Sequence, residues 1–101
     1  MIYNKLIRDK IIEMLDKKGV QHREHIATAS EYEEKLFEKL LEEANEVVKD
    51  KDNKEEIADL LEVVEAIKKL KGYTTEEIEA IRLKKLDERG GFEKQIILEE
   101  S

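Results

Sequence analysis

Residues 40–64, LLEEANEVVKDKDNKEEIADLLEVV, constrain the fold more than any other part of the chain. Two runs with apolar residues at helical spacing flank a polar turn at residues 50–53. A connection that short favours antiparallel helix neighbours. Acids interrupt both apolar stripes. At about 100° per residue, Leu36, Val47 and Leu40 fall roughly 20°, 40° and 60° from Glu43, and Tyr32 lies roughly 20° to its other side. Glu43 therefore sits within the stripe, Glu46 at its edge, and Glu42 further out. On the second helix Leu70, Val63, Glu56 and Ile67 follow Asp59 at roughly 20°, 40°, 60° and 80°, whereas Glu62 and Glu65 fall outside that arc.

Four carboxylates converging between two helices repel one another and lose hydration, a conflict that protons or cations relieve. Oxygen ligands without His or Cys suit Mg²⁺ or Mn²⁺, and Mg²⁺ is commonly shared between a few carboxylates and substrate phosphates. Glu43, Glu46, Glu56 and Asp59 are thus expected to form a metal site for a phosphate-bearing substrate. Glu56 has a competing structural role. If Asn53 is the N-cap of its helix, Glu56 stands at the third helical position and closes a capping box; if Asp52 is the cap, Glu55 takes that place.

The rest of the chain reads as helix as well. No proline and only four glycines interrupt it, and 45% of its residues are charged, with helix formers dominant. The spacing predicts helix one over residues 5–18, with Leu6, Ile7, Ile11, Ile12 and Leu15 on one face and Gly19 as its stop. Residues 20–29 show no period. Ser30 with Glu33 predicts the start of helix two, which ends near Lys49; helix three runs to about Lys71 before Gly72. Thr74 or Thr75 caps helix four, and Gly90 and Gly91 end it. Residues 92–98 carry Phe92, Ile96, Ile97 and Leu98 without a helical stripe and are expected to be extended, packed on the bundle or on a partner. The expectation is one all-α domain over residues 1–101, an antiparallel four-helix bundle.

A net charge of −7 and a pI near 5.0 argue against a broad basic face for nucleic acid. Cysteine is absent, so disulfides and thiolate zinc sites are closed. No apolar run approaches a membrane span and the opening residues lack the apolar stretch of a secretory signal, so the chain reads as cytoplasmic. His22 and His25 read as loop histidines rather than a metal pair.

Glu42-Glu43-Ala44-Asn45-Glu46 and, after nine residues, Glu56-Ile57-Ala58-Asp59 resemble the EExxE…ExxD signature of the MazG-like all-α nucleoside triphosphate pyrophosphohydrolases. Residues 3–11, YNKLIRDKI, look like the opening of a small single-domain branch of that superfamily, regarded as house-cleaning enzymes of aberrant nucleotides, and residues 89–92, RGGF, look like its ending. The gap between the acidic motifs is shorter than is usual in the superfamily, and Ile12 stands where the branch often has proline. The resemblance implies Mg²⁺-dependent hydrolysis between the α and β phosphates, giving a nucleoside monophosphate and pyrophosphate. Glu43, Glu46, Glu56 and Asp59 would then hold metal, and Glu42 or Glu43 would serve catalysis. It also implies a homo-oligomer, with a dimer as the default. The broad apolar arc of helix three, where Ile57, Leu61 and Val64 exceed what one neighbour covers, points the same way.

A polyphosphate needs cations, for which Arg89, Lys85, Lys84, Arg8 and Lys10 are the candidates, although for any one of them a solvated surface charge is the commoner reading. Two rival readings remain open at this point. One is a noncatalytic helical assembly module whose acids pair with Lys35, Lys39 or Lys68; the other is the same fold acting on phosphoribosyl-ATP.

Overall fold

The computed structural model describes residues 3–101, in which four helices form in the order α1 (Ile11–Lys17), α2 (Ala29–Lys49), α3 (Lys54–Lys71) and α4 (Thr75–Arg89). No strand occurs among the described residues, so the fold is all-α. None of these helices is long and apolar enough to cross a membrane.

α2 and α3 pack against each other far more extensively than any other pair. Leu36 of α2 is 2% exposed and Val63 of α3 is 7% exposed, and they are the buried apolar residues among those described. The start of α2 meets the end of α3 through the Lys71–Glu33 ion pair. The later part of α2 meets the first turns of α3 at Glu43, Glu56 and Asp59. α1 and α4 contribute little to this core. The radius of gyration is 17.9 Å, against about 13 Å for a compact domain of this length. Large apolar side chains consequently remain on the surface, among them Phe37, Leu41 and Val48 of α2 and Ile57 and Leu61 of α3.

Helix one is much shorter than its periodicity predicts. Residues 5–10 are not helical: Lys5 Nζ reaches Glu42 Oε1 at 2.9 Å, Arg8 Nη2 reaches Asp59 Oδ1 at 2.9 Å, and Asn4 adopts a positive φ of 47°. These tertiary contacts outweigh the modest helix propensity of the segment. α2 likewise starts earlier than expected, because Thr28 and not Ser30 is the N-cap, accepting from the Glu31 backbone N–H at 3.2 Å. TASE at residues 28–31 has the same spacing as SEYE at 30–33, and the upstream copy prevails. Glu31 does not close the box; its carboxylate accepts from His25 Nε2 at 3.0 Å.

The other boundaries agree with the sequence. Asn53 caps α3, and Thr74 with Glu77 forms a full capping box on α4. Gly72 ends α3 at φ 74°, where a side chain would be strained. Lys68, only 8% exposed, donates to Glu65 Oε1 at 2.8 Å and to Thr75 Oγ1 at 3.1 Å, which ties α3 to the first turn of α4. The expected packing of residues 92–98 is absent within the chain, since Phe92 is 96% exposed and Ile96, Ile97 and Leu98 are similarly open.

His22 bridges the end of α1 to the loop that follows it. His22 Nε2 faces Asp16 Oδ1 at 2.6 Å and Nδ1 faces Glu24 Oε2 at 2.7 Å. A neutral imidazole donates from one nitrogen only, so two ionised carboxylates call for the imidazolium. Asp16 first and Glu24 second raise the His22 pKa above 6.5. A raised histidine pKa gives stabilisation that is complete below the unfolded value and disappears as pH rises through the folded one. His22→Gln should therefore flatten the fall in stability just above pH 6.5, read by chemical denaturation over a pH series.

Candidate metal centre

Glu43 projects from α2 toward the first turns of α3, where Glu56 and Asp59 stand one turn apart. One carboxylate oxygen from each of the three lies within 4.8 Å of the others, and all three residues are half-buried. Such a set could hold one divalent cation, and an all-oxygen donor set matches Mg²⁺ or Mn²⁺. Glu43 and Asp59 line a groove of about 330 Å³ with Leu36, Val63, Tyr32, Glu62, Lys39 and Arg8, and Glu56 stands beside Glu43 and Asp59 outside its walls. An apolar floor with acids at one side keeps the carboxylates partly out of water.

The capping alternative for Glu56 does not hold in this geometry. Asn53 is the N-cap, which puts Glu56 at the third helical position, but the Asn53 backbone N–H donates to the Asp50 carbonyl at 3.1 Å. The Asn53 side chain accepts from the Glu55 N–H at 3.0 Å. No hydrogen bond to the Glu56 carboxylate occurs among the described residues, which leaves it available to a ligand.

The other two acids are partly neutralised. Asp59 carries Arg8 at 2.9 Å, and Lys39 Nζ approaches Glu43 Oε1 at 3.5 Å. Glu56 has no such partner among the described residues, and desolvation, followed by the charges of Asp59, Glu46, Glu43 and Asp50, raises its pKa above 4.5. With a raised carboxyl pKa, stability is complete below the unfolded value and falls as pH rises through the folded value. In chelator, Glu56→Gln should accordingly lose less stability than the parent protein between pH 4.5 and neutrality, measured by denaturant titration.

Glu46 is close enough to raise Glu56 but lies outside the set of three. The four-ligand expectation is thus reduced to a trio with an acidic neighbour. Glu42 faces elsewhere, bonded to Lys5 at 2.9 Å and 3.7 Å from Lys39; those cations lower its pKa and make it a poor proton acceptor. Its hydrogen bond from Lys5 is the largest cause of that lowering, which weighs against the catalytic role expected for it.

The expected phosphate ligands divide into two places. Arg8 lies in the acidic groove. Arg89 and Lys85 line a separate crevice of about 830 Å³ with Arg82, Leu86 and residues 90–93, and the two cavities share no residue. Lys84 is directed to Glu88 at 3.9 Å, and Lys10 is an exposed residue preceding α1. Lys39, which the sequence offered as an ion-pair partner of the acids but not as a phosphate ligand, is the second cation of the acidic groove. Its position four residues before Glu43 is the helical spacing at which opposite charges meet, a signal available from the sequence. No protein-family model matches this chain, and comparison with curated proteins and with solved structures found no match.

Proposed function

We propose that the protein is a MazG-like nucleotide pyrophosphohydrolase that works with Mg²⁺, cleaving between the α and β phosphates of a nucleoside triphosphate to give the monophosphate and pyrophosphate. The observation that carries this reading is the convergence of Glu43, Glu56 and Asp59 within 4.8 Å, two of which, Glu43 and Asp59, line a groove floored by Leu36 and Val63. The acidic motif that suggested the family from sequence is the motif that supplies these three residues.

A divalent cation held by the trio would neutralise phosphate charge and orient a water. The chain's own residues do the rest. Glu43, Glu56 and Asp59 would hold the cation, the apolar floor at Leu36 and Val63 would limit water, and Arg8 would offer a guanidinium to phosphate oxygens. Glu46, beside the trio, can take up the proton released from the attacking water.

The fold belonging to this reading is an antiparallel four-helix bundle assembled from two copies. Phe37, Leu41 and Val48 form one exposed stripe on α2, with Ile57 and Leu61 forming another on α3. Two such hairpins, face to face, would bury both stripes in a common core. The nucleotide site would then lie between the copies, with Arg89 or Lys10 supplied across the interface.

The competing reading is a noncatalytic assembly module, favoured by the Arg8–Asp59 and Lys39–Glu43 pairs. A panel of nucleoside triphosphates and phosphoribosyl-ATP, incubated with the protein and Mg²⁺, separates the two. Pyrophosphate release from at least one is expected; no release, with thermal stability indifferent to Mg²⁺, would establish the assembly module instead.

A further inference from the structure

We propose that Arg8 is an exchangeable counter-ion of the acidic groove, held on Asp59 in the metal-free protein and transferred to a phosphate of the substrate when a divalent cation takes Asp59. The proposal rests on the metal-dependent reading above and adds a conformational step to it. Its starting point is the location of the guanidinium. Arg8 Nη2 donates to Asp59 Oδ1 at 2.9 Å, on one of the three oxygens-bearing side chains that would hold the cation, and both residues line the same groove.

Three features make this contact a movable one. It is a single hydrogen bond, not the two-pronged arrangement an arginine makes with a carboxylate where the pair is fixed, so most of the guanidinium donors remain unused. Both side chains are about half exposed, at 57% and 44%, a setting in which ion pairs are weak and exchange readily. Arg8 also stands on the non-helical arm preceding α1, whereas the other cation of the groove, Lys39, is fixed on α2 one turn from Glu43. Lys5, bonded to Glu42, holds the base of that arm against α2 and leaves Arg8 within reach of the groove after it departs from Asp59.

The charge balance gives the exchange a direction. A divalent cation on Asp59 offers the carboxylate more than one positive charge, and it also places repulsion between cation and guanidinium. A bound triphosphate would offset that repulsion, because its oxygens could accept the guanidinium donors that Asp59 leaves unused. Arg8 would thereby favour substrate entry only after metal entry.

The proposal predicts opposite changes in two affinities. Mn²⁺ alone, followed by electron paramagnetic resonance, should bind Arg8→Gln about 3- to 5-fold more tightly than the parent, since an exposed pair no longer competes. The same variant should bind a nonhydrolysable nucleoside triphosphate in Mg²⁺ roughly 10-fold more weakly, whereas Arg8→Lys should retain near-parental Mn²⁺ affinity and still bind the nucleotide poorly. In the unmodified protein, the Arg8 Nε–H nuclear resonance should shift when Mg²⁺ saturates the site. Parental Mn²⁺ binding with unchanged or weaker affinity in Arg8→Gln, or an Arg8 resonance indifferent to Mg²⁺, overturns the exchange and leaves the metal site standing. Absence of Mn²⁺ binding to every form overturns both.

Discussion

Exchanging Asp59 for asparagine is expected to lower Mg²⁺-dependent pyrophosphate release by roughly 100-fold or more, because loss of a direct ligand should cost at least as much as loss of a residue that merely orients one. The effect on stability runs the other way. Asp59 is one of the charges that raise the Glu56 pKa, so the amide removes like-charge repulsion from the metal-free protein. It also removes the partner of Arg8, an exposed ion pair of small value. Metal-free Asp59→Asn should melt at or above the parental temperature. Mg²⁺ should then separate the two proteins: a ligand at about 100 times its dissociation constant stabilises by about 2.7 kcal/mol, a gain the variant should forfeit. Calorimetric melting with Mg²⁺ and with chelator checks the stability arm, and pyrophosphate release checks the activity arm. Equal Mg²⁺-linked stabilisation of parent and variant would remove Asp59 from the metal site.

The inward direction of Glu43 and Asp59 was legible in the sequence. Their positions on apolar arcs follow from helical phase alone, and a shift of two residues in a helix boundary does not alter phase. The convergence of Glu43, Glu56 and Asp59 was readable for that reason. Boundaries fared worse where two signals competed. Thr28 and Ser30 each begin a plausible cap; Thr28 takes the role, while the Glu31 carboxylate meets His25 instead of closing a box. Residues 5–10 have helical periodicity, but Lys5 and Arg8 are engaged by acids 37 and 51 residues away, and sequence spacing carries no information about such distant partners.

Glu46 and the late cations of α4 mark a different boundary. Phase places Glu46 at the edge of the stripe, and an edge position can face a neighbouring helix or miss it according to the crossing geometry of the pair. That Arg89 and Lys85 stand a turn apart at the end of α4, where they line one crevice, was readable from their spacing. Their separation from the acidic groove was not, because it depends on how α4 leaves α3 at Gly72 and on the Lys68–Thr75 hydrogen bond that follows.

Leu36→Ala and Leu41→Ala together test how the hydrophobic surface is used. Leu36 is buried between the two long helices beside Val63, so its truncation should cost about 2–5 kcal/mol, a large fraction of an ordinary domain's total stability. The melting temperature should fall by more than about 10 °C, at any protein concentration. Leu41 is 68% exposed, and in an isolated chain its truncation should change stability by no more than about 0.5 kcal/mol. In the proposed two-copy bundle Leu41 lies in the centre of the α2 stripe between Phe37 and Val48, where it is covered by the second hairpin. Leu41→Ala should then weaken association and make melting depend more steeply on protein concentration, because subunit binding contributes stability by mass action. Analytical ultracentrifugation beside melting at two concentrations reads both. A monomeric parent, with Leu41→Ala neutral at every concentration, would leave the exposed stripes without a second copy to cover them and return the acidic groove to a single chain.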